Sequence, residues 1–287
     1  MVTEQNGKQL DLSQIKLVAC DIDGTLLQGD ERVLTPRAIS LICRLWEHGI
    51  VFCTSSGRQH ACQRRLFAPS GIEDWMFYIC ENGSAVYQGD MGIYTSPLDE
   101  AEAVKIAEQI HSMSQCEALA SGARFCYVMP KEESYLSLIS DRVGNDTVTV
   151  TSWDDIPEAV VKVTAYCRDG GEQCLSELES SWGSKYHVAL SGREWIDITQ
   201  ADKADGLREV CKILGISPSE VMALGDNYND ISILREAGFP IAMEHGPKEL
   251  RDLAVRTFQR AEDGLEWLLE GLSSLQNLEV TDPQEVG

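Results

Sequence analysis

Five short stretches of this sequence carry residues that could do chemistry. Residues 21–25 read Asp-Ile-Asp-Gly-Thr, with Asp21 and Asp23 one residue apart behind the apolar run "IKLVAC". Ser56, Gly57 and Arg58 follow "GIVFCTS", Glu81, Asn82 and Gly83 follow "MFYIC", and Asp226, Asn229 and Asp230 follow "VMALG". Lys203 opens the segment "KADGLREVCKILG". Carboxylates in such a group can attack a substrate, exchange protons with it or hold a hard cation, while hydroxyls, amides and cationic side chains bind anions. Each stretch also has a local explanation. Asp-Gly-Thr favours a tight turn, Ser56 could cap a helix, "GDNYND" could form an Asx turn, Asn82-Gly83 could turn a hairpin, and Lys203 could be an exposed lysine in a first helical turn. Those explanations do not say why four apolar runs should each end on such residues.

The elements that must position them are legible as strands and helices in alternation. "IKLVAC", "GIVFCTS", "MFYIC", "VMALG" and "PIAM" read as buried strands. The helix after Thr35 has that residue as its N-cap, Pro36 at its first position and Gly49 beyond its last turn, and further helices close at Gly215 and Gly238. This alternation predicts an α/β fold, a doubly wound parallel sheet with a Rossmann-like core, whose ligands sit at the carboxyl ends of the strands. From about Ser84 to Leu190 the texture changes. "YTSPLDEAEAVKIAEQIHSM", "KEESYLSLISDRV" and "GGEQCLSELESSW" read as helices, and "CEALAS", "ARFCYVM", "AVVKVTAYC" and "KYHVAL" as strands. The expected organisation is a core of residues 1–83 and 191–287 interrupted by an α+β cap, 84–190.

At 287 residues the chain is long enough for about two domains. Hydrophobic residues at 43% and charged residues at 24% describe an ordinary globular protein. A formal charge of −22 argues against nucleic acid, whose phosphates are bound mainly by clustered Lys and Arg. The ten cysteines form no CxxC pair, and Cys20, Cys53 and Cys80 each end an apolar run, so they read as free buried thiols in a reducing compartment. The five histidines lack metal-ligand spacing. The N-terminal segment has no apolar signal-peptide region and no run reaches the roughly 18 apolar residues of a membrane span, so the expected location is the cytoplasm. Oligomeric state is not legible.

Taken together, DIDGT at 21–25, SGR at 56–58, ENG at 81–83, Lys203, GDNYND at 225–230 and EDG at 262–264 resemble the haloacid dehalogenase superfamily, in its Cof-type, sugar-phosphatase-like group with an inserted cap. The sequence departs in having Ser56 where Thr is common and "MEHGPKEL" where Asn-Ala is more usual, which keeps the hydroxyl and alters the rim of the site. The resemblance implies hydrolysis of a small-molecule phosphate ester through an aspartyl phosphate. Asp21 would be the nucleophile and Asp23 the general acid and base. Thr25, Ser56, Gly57, Arg58, Asn82, Lys203 and Asn229 would bind the substrate phosphate. Mg²⁺ would be held by Asp21, the Asp23 carbonyl and Asp226, with Asp230 behind them. A charge count agrees, since four carboxylates and a phosphate dianion face one central lysine. Arg58 could equally pair with a surface acid.

A receiver domain also phosphorylates an aspartate at a strand end, but it would need neither an insert of about a hundred residues nor the second acid of DIDGT. A phosphomutase of the same superfamily would require a bisphosphate activator. A catalytically silent binding protein would not need the full motif set.

Overall fold

The computed structural model describes residues 2–3 and 9–280. Its packing separates two compact units, one running to Cys53 and resuming at Gly215, the other comprising Thr54–Leu214. The division falls inside the strand Val51–Ser55.

In the first unit the strand order is Arg256–Phe258, Phe239–Met243, Val221–Gly225, Leu17–Cys20, Val51–Ser55. The first four pair in parallel. Every residue of Leu17–Cys20, Val221–Gly225 and Phe239–Met243 is buried, the continuous apolar pattern of strands covered on both faces. Cys20 lies opposite Leu224, which brings the carboxyl ends of the two central strands level.

Helix Pro36–Glu47 starts where the sequence places it: Thr35 Oγ1 accepts from the Ala38 amide, and Pro36 loses no hydrogen bond at the first position. Ala38, Leu41, Ile42 and Leu45, spaced for one helical face, are buried. This helix packs on Ala261–Val280, tied to it by Arg37 to Asp263 at 2.9 Å and to Glu266 at 2.6 Å. The EDG motif has a structural task here. Burial alone would raise the Glu262 carboxyl, but hydrogen bonds from Arg260 and Thr35 (2.9 Å from Oγ1) hold it below its ordinary value of 4.5. A depressed folded pKa stabilises fully above the unfolded value, and that contribution disappears as pH falls through the folded value. Glu262→Gln should therefore lower the melting temperature at pH 7 and narrow the gap to wild type as pH drops below about 4.5. A gap constant from pH 7 to pH 3 would contradict this role.

In the second unit, Ala85–Gln88 pairs antiparallel with Phe77–Cys80, and Met91–Thr95 pairs antiparallel with Ala85–Gln88. A separate six-stranded sheet follows, ordered Thr147–Thr149, Cys126–Val128, Cys116–Gly122, Val160–Cys167, Trp195–Thr199, His187–Leu190. Its apolar face, including Ala118, Ala120, Val163, Ala165, Ile196 and Ile198, is covered by Ala103, Ile106, Ala107 and Ile110 of helix Glu100–Ser112 and by Leu178 of helix Glu172–Trp182.

Sheet membership corrects the expected cap boundaries of 84 and 190. Residues 85–95 form a hairpin on the sheet of Phe77–Cys80, and Trp195–Thr199 pairs with Val160–Cys167 and His187–Leu190. The helix expected from Tyr94 begins only at Glu100, because Asp99 caps it and Pro97 precedes the cap. "KEESYLSLISDRV" is a short helix, Glu133–Ser137, continued by a wider π-type turn, Leu138–Val143. Among the described residues no helix is long and apolar enough to cross a membrane.

Candidate active site

The first unit gathers acids at two adjacent strand ends. Asp21 follows Leu17–Cys20, is 5% exposed, and donates its amide to Leu224 O at 2.9 Å. Asp226 follows Val221–Gly225, and one carboxylate oxygen from each of Asp21, Asp226 and Asp230 lies within 4.8 Å of the others. Asp230 is buried, and its Oδ2 accepts from the amides of Asp226 (2.9 Å) and Asn227 (3.0 Å), so it shapes the loop that presents Asp226. Asp23 is exposed and Asn229 half-buried.

The loop that carries Asp23 is closed by Gly24 N to Leu27 O and Leu27 N to Ile22 O, both 2.7 Å. Gly24 has φ +91°, and a Cβ there would sit 2.2 Å from Asp226 Oδ2. Only glycine fits both the backbone and the close approach. Thr25, expected near the phosphate, is fully buried and its hydroxyl donates to Asp226 Oδ1 at 2.9 Å, so it orients that carboxylate. His245, from the divergent "MEHGPKEL", places Nε2 3.3 Å from Asp226 Oδ2. The sequence marked that stretch as rim; its contact with Asp226 was not legible.

The second unit holds the other candidates. Ser56 is buried, its amide bonded to Ile79 O (2.9 Å) and its carbonyl to Asn82 N (3.1 Å). Its hydroxyl accepts from Arg58 N at 3.2 Å. Arg58 is half-buried, and its carbonyl accepts from Glu81 N and from Gln63 Nε2. Loop 56–58 and segment 81–83 are thus laced together through the backbone. Asn82-Gly83 is no simple hairpin turn: Glu81, Asn82 and Gly83 have φ of +50°, +54° and +98° in succession. Two non-glycine residues in that region are costly, on the order of 1–3 kcal/mol each, and persist when their surroundings over-determine them.

Here those surroundings come from the insert's polar sheet face. Lys162 and Thr164 point to the face opposite Val163 and Ala165, where Thr164 lies opposite Asp197. Lys162 Nζ donates to Gly57 O and pairs with Glu81 Oε2, both at 2.6 Å, with Asp197 Oδ2 at 3.6 Å. Asp197 accepts from Thr164 Oγ1 and from Asn82 Nδ2, both at 2.6 Å. Burial would drive the Lys162 ammonium to shed its proton, but Asp197 and Glu81 outweigh it and hold the pKa above the ordinary lysine value. Asn82, expected on a phosphate, has its amide on Asp197 instead. Lys162 and Asp197 were missed in the sequence, though lone polar residues within "AVVKVTAYC" and "WIDIT" were the available signal.

Lys203 is 1% exposed, which removes the reading of a solvated lysine. A cation at a helix start opposes the dipole, and Asp202 compensates by accepting from Ala204 N (2.9 Å) and Asp205 N (3.0 Å). Gly83 lies against this helix start; a Cβ there would meet Asp202 O at 1.8 Å.

Comparison with known proteins points one way. Residues 18–267 match the family model for haloacid dehalogenase-like hydrolases. An Escherichia coli relative, 5-amino-6-(5-phospho-D-ribitylamino)uracil phosphatase YbjI, is 28% identical over 234 residues, covering 80% of this chain and 86% of the relative. A crystal structure from Eubacterium rectale superposes with TM-score 0.77 at 28% identity, covering 91% of this chain and 99% of that one. An HAD subclass IIB sugar phosphatase superposes with TM-score 0.75 at 20% identity, again covering 91% and 99%. A match running through both compact units leaves one family assignment: the chain belongs to the haloacid dehalogenase-like hydrolases and, like its named relatives, is a phosphatase.

Proposed function

We propose that this phosphatase hydrolyses a small phosphorylated metabolite, of the sugar-phosphate kind, through a phosphoryl group carried on Asp21. The observation that carries the reading is the convergence of Asp21, Asp226 and Asp230 at two adjacent strand ends. Asp21 attacks phosphorus in line, Asp23 protonates the leaving alcohol, and Asp23 then takes a proton from the water that cleaves the aspartyl phosphate. Asp23 suits proton exchange because it is exposed, whereas buried Asp21 is shielded from competing water.

The oxygen donors of Asp21, Asp226 and the Asp23 carbonyl suit a hard dication, with Asp230 supporting them. Mg²⁺ bound there would neutralise charge as the phosphoryl group transfers. Ser56, Gly57, Arg58, Lys203 and Asn229 are assigned to the phosphate, and Lys203 brings a buried cation. Asn82 acts by fixing the backbone beside Ser56. The ribityl phosphate named for the E. coli relative belongs to the same ester class, which makes it a natural member of a substrate panel.

The test is metal-dependent turnover of that panel. EDTA should silence hydrolysis and Mg²⁺ restore it, and Asp226→Ala should raise the Mg²⁺ needed for half-maximal rate by at least about tenfold. Full activity in a metal-free sample would overturn the reading. A strict requirement for a bisphosphate activator would favour a mutase, and a single turnover ending in a long-lived aspartyl phosphate would favour a phospho-accepting signalling domain.

A further inference from the structure

None of the ten cysteines is in a disulfide, and all but Cys43 are buried. Three of them meet in the insert. Cys116 opens the strand Cys116–Gly122, and Cys167, which ends Val160–Cys167, lies directly opposite it in the antiparallel register. Cys174 comes from helix Glu172–Trp182, which covers that end of the sheet. Cys116 Sγ is 3.1 Å from Cys167 Sγ and 3.4 Å from Cys174 Sγ, and all three sulfurs lie within 4.8 Å of one another.

Core packing calls for small side chains at such a junction, but any of several would serve. Three elements each supplying sulfur to one point is a donor set. We propose that Cys116, Cys167 and Cys174 form a three-sulfur site for a soft, thiophilic d¹⁰ metal ion, with Cu(I) as the ion it fits best.

Ligand type and number both point there. Thiolates select Cu(I) and Zn²⁺ over hard ions such as Mg²⁺. Zn²⁺ is almost always four-coordinate in a closed site, and among the described residues this group consists of three sulfurs. With metal–sulfur bonds of about 2.3 Å, three sulfurs around one ion stand roughly 4 Å apart, so the present contacts need to open by less than about 1 Å. Rotation about the Cys side-chain bonds can supply that.

A positive charge stands beside the site: Lys131 Nζ donates to Cys116 O at 2.5 Å and Met113 O at 2.7 Å. Gln115 Nε2 donates to Cys174 Sγ at 3.5 Å. Binding displaces protons from the thiols to solvent, with no electron transferred.

The experiment titrates the reduced, full-length protein anaerobically with Cu(I) buffered by bicinchoninate. One ion per chain should leave the chelator, and subsequent alkylation and mass spectrometry should find Cys116, Cys167 and Cys174 protected while the other cysteines label as in metal-free protein. Cys167→Ala and Cys174→Ala, checked for folding by circular dichroism, should each weaken retention at least about tenfold, whereas Cys43→Ala should not. The protection pattern in wild-type protein stands even if a variant fails to fold. Equal retention by wild type and Cys167→Ala, protection of a different set, or a disulfide already joining Cys116 in the anaerobic protein would each overturn the proposal.

Discussion

Asp21→Asn should abolish turnover of every phosphate ester while leaving a folded protein. The substitution keeps the side-chain volume at a buried position and removes the attacking oxygen. Loss of a nucleophile that works within a catalytic group costs on the order of 10⁴-fold or more in kcat. Activity within tenfold of wild type would refute the nucleophile assignment.

Lys162→Met should be the most destabilising single change in the second unit. The side chains of Lys162 and Glu81 are 8% and 3% exposed, so methionine fills the lysine's volume but leaves Glu81 and Asp197 without their cation. Removing one partner of a buried pair typically costs about 3–5 kcal/mol. In a protein of this size that lowers the melting temperature on the order of 10 °C. The damage should also reach catalysis, since Lys162 holds Gly57 O and braces the positive-φ segment beside Ser56. Adding Glu81→Gln should recover part of the lost stability, because it removes one of the uncompensated charges. A Lys162→Met protein that melts within about 2 °C of wild type would show that the pair is not stabilising.

How much of this could be read from the sequence depends on the range of the interaction. Asp21 and Asp226 were legible because apolar runs that end on acids in a parallel sheet must deliver them to one edge. Thr35 and Pro36 were legible because a helix start is decided within four residues. The contact of Thr25 with Asp226 was not legible because the two lie 201 positions apart and the hydroxyl fits either task. Lys162 and Asp197 went unnoticed for a related reason: which face of an inserted sheet turns toward residues 57 and 81 is a tertiary fact, and strand alternation alone does not supply it. The hairpin 85–95 was hidden by a helix pattern that begins at Tyr94 in the sequence but is delayed by Pro97 until Asp99 can cap it.

The claim at the centre of the account is that Asp21 carries the phosphoryl group, and the most direct test is to trap it there. Wild-type enzyme turning over a phosphate ester in the presence of Mg²⁺ would be quenched in acid, reduced with borohydride and mapped by mass spectrometry. An acyl phosphate is converted by this treatment to the alcohol, so residue 21 should be recovered as homoserine in a fraction that falls to zero without substrate. Undiminished turnover with residue 21 recovered only as aspartate, or with the reduced residue found at Asp23 or Asp226, would contradict it.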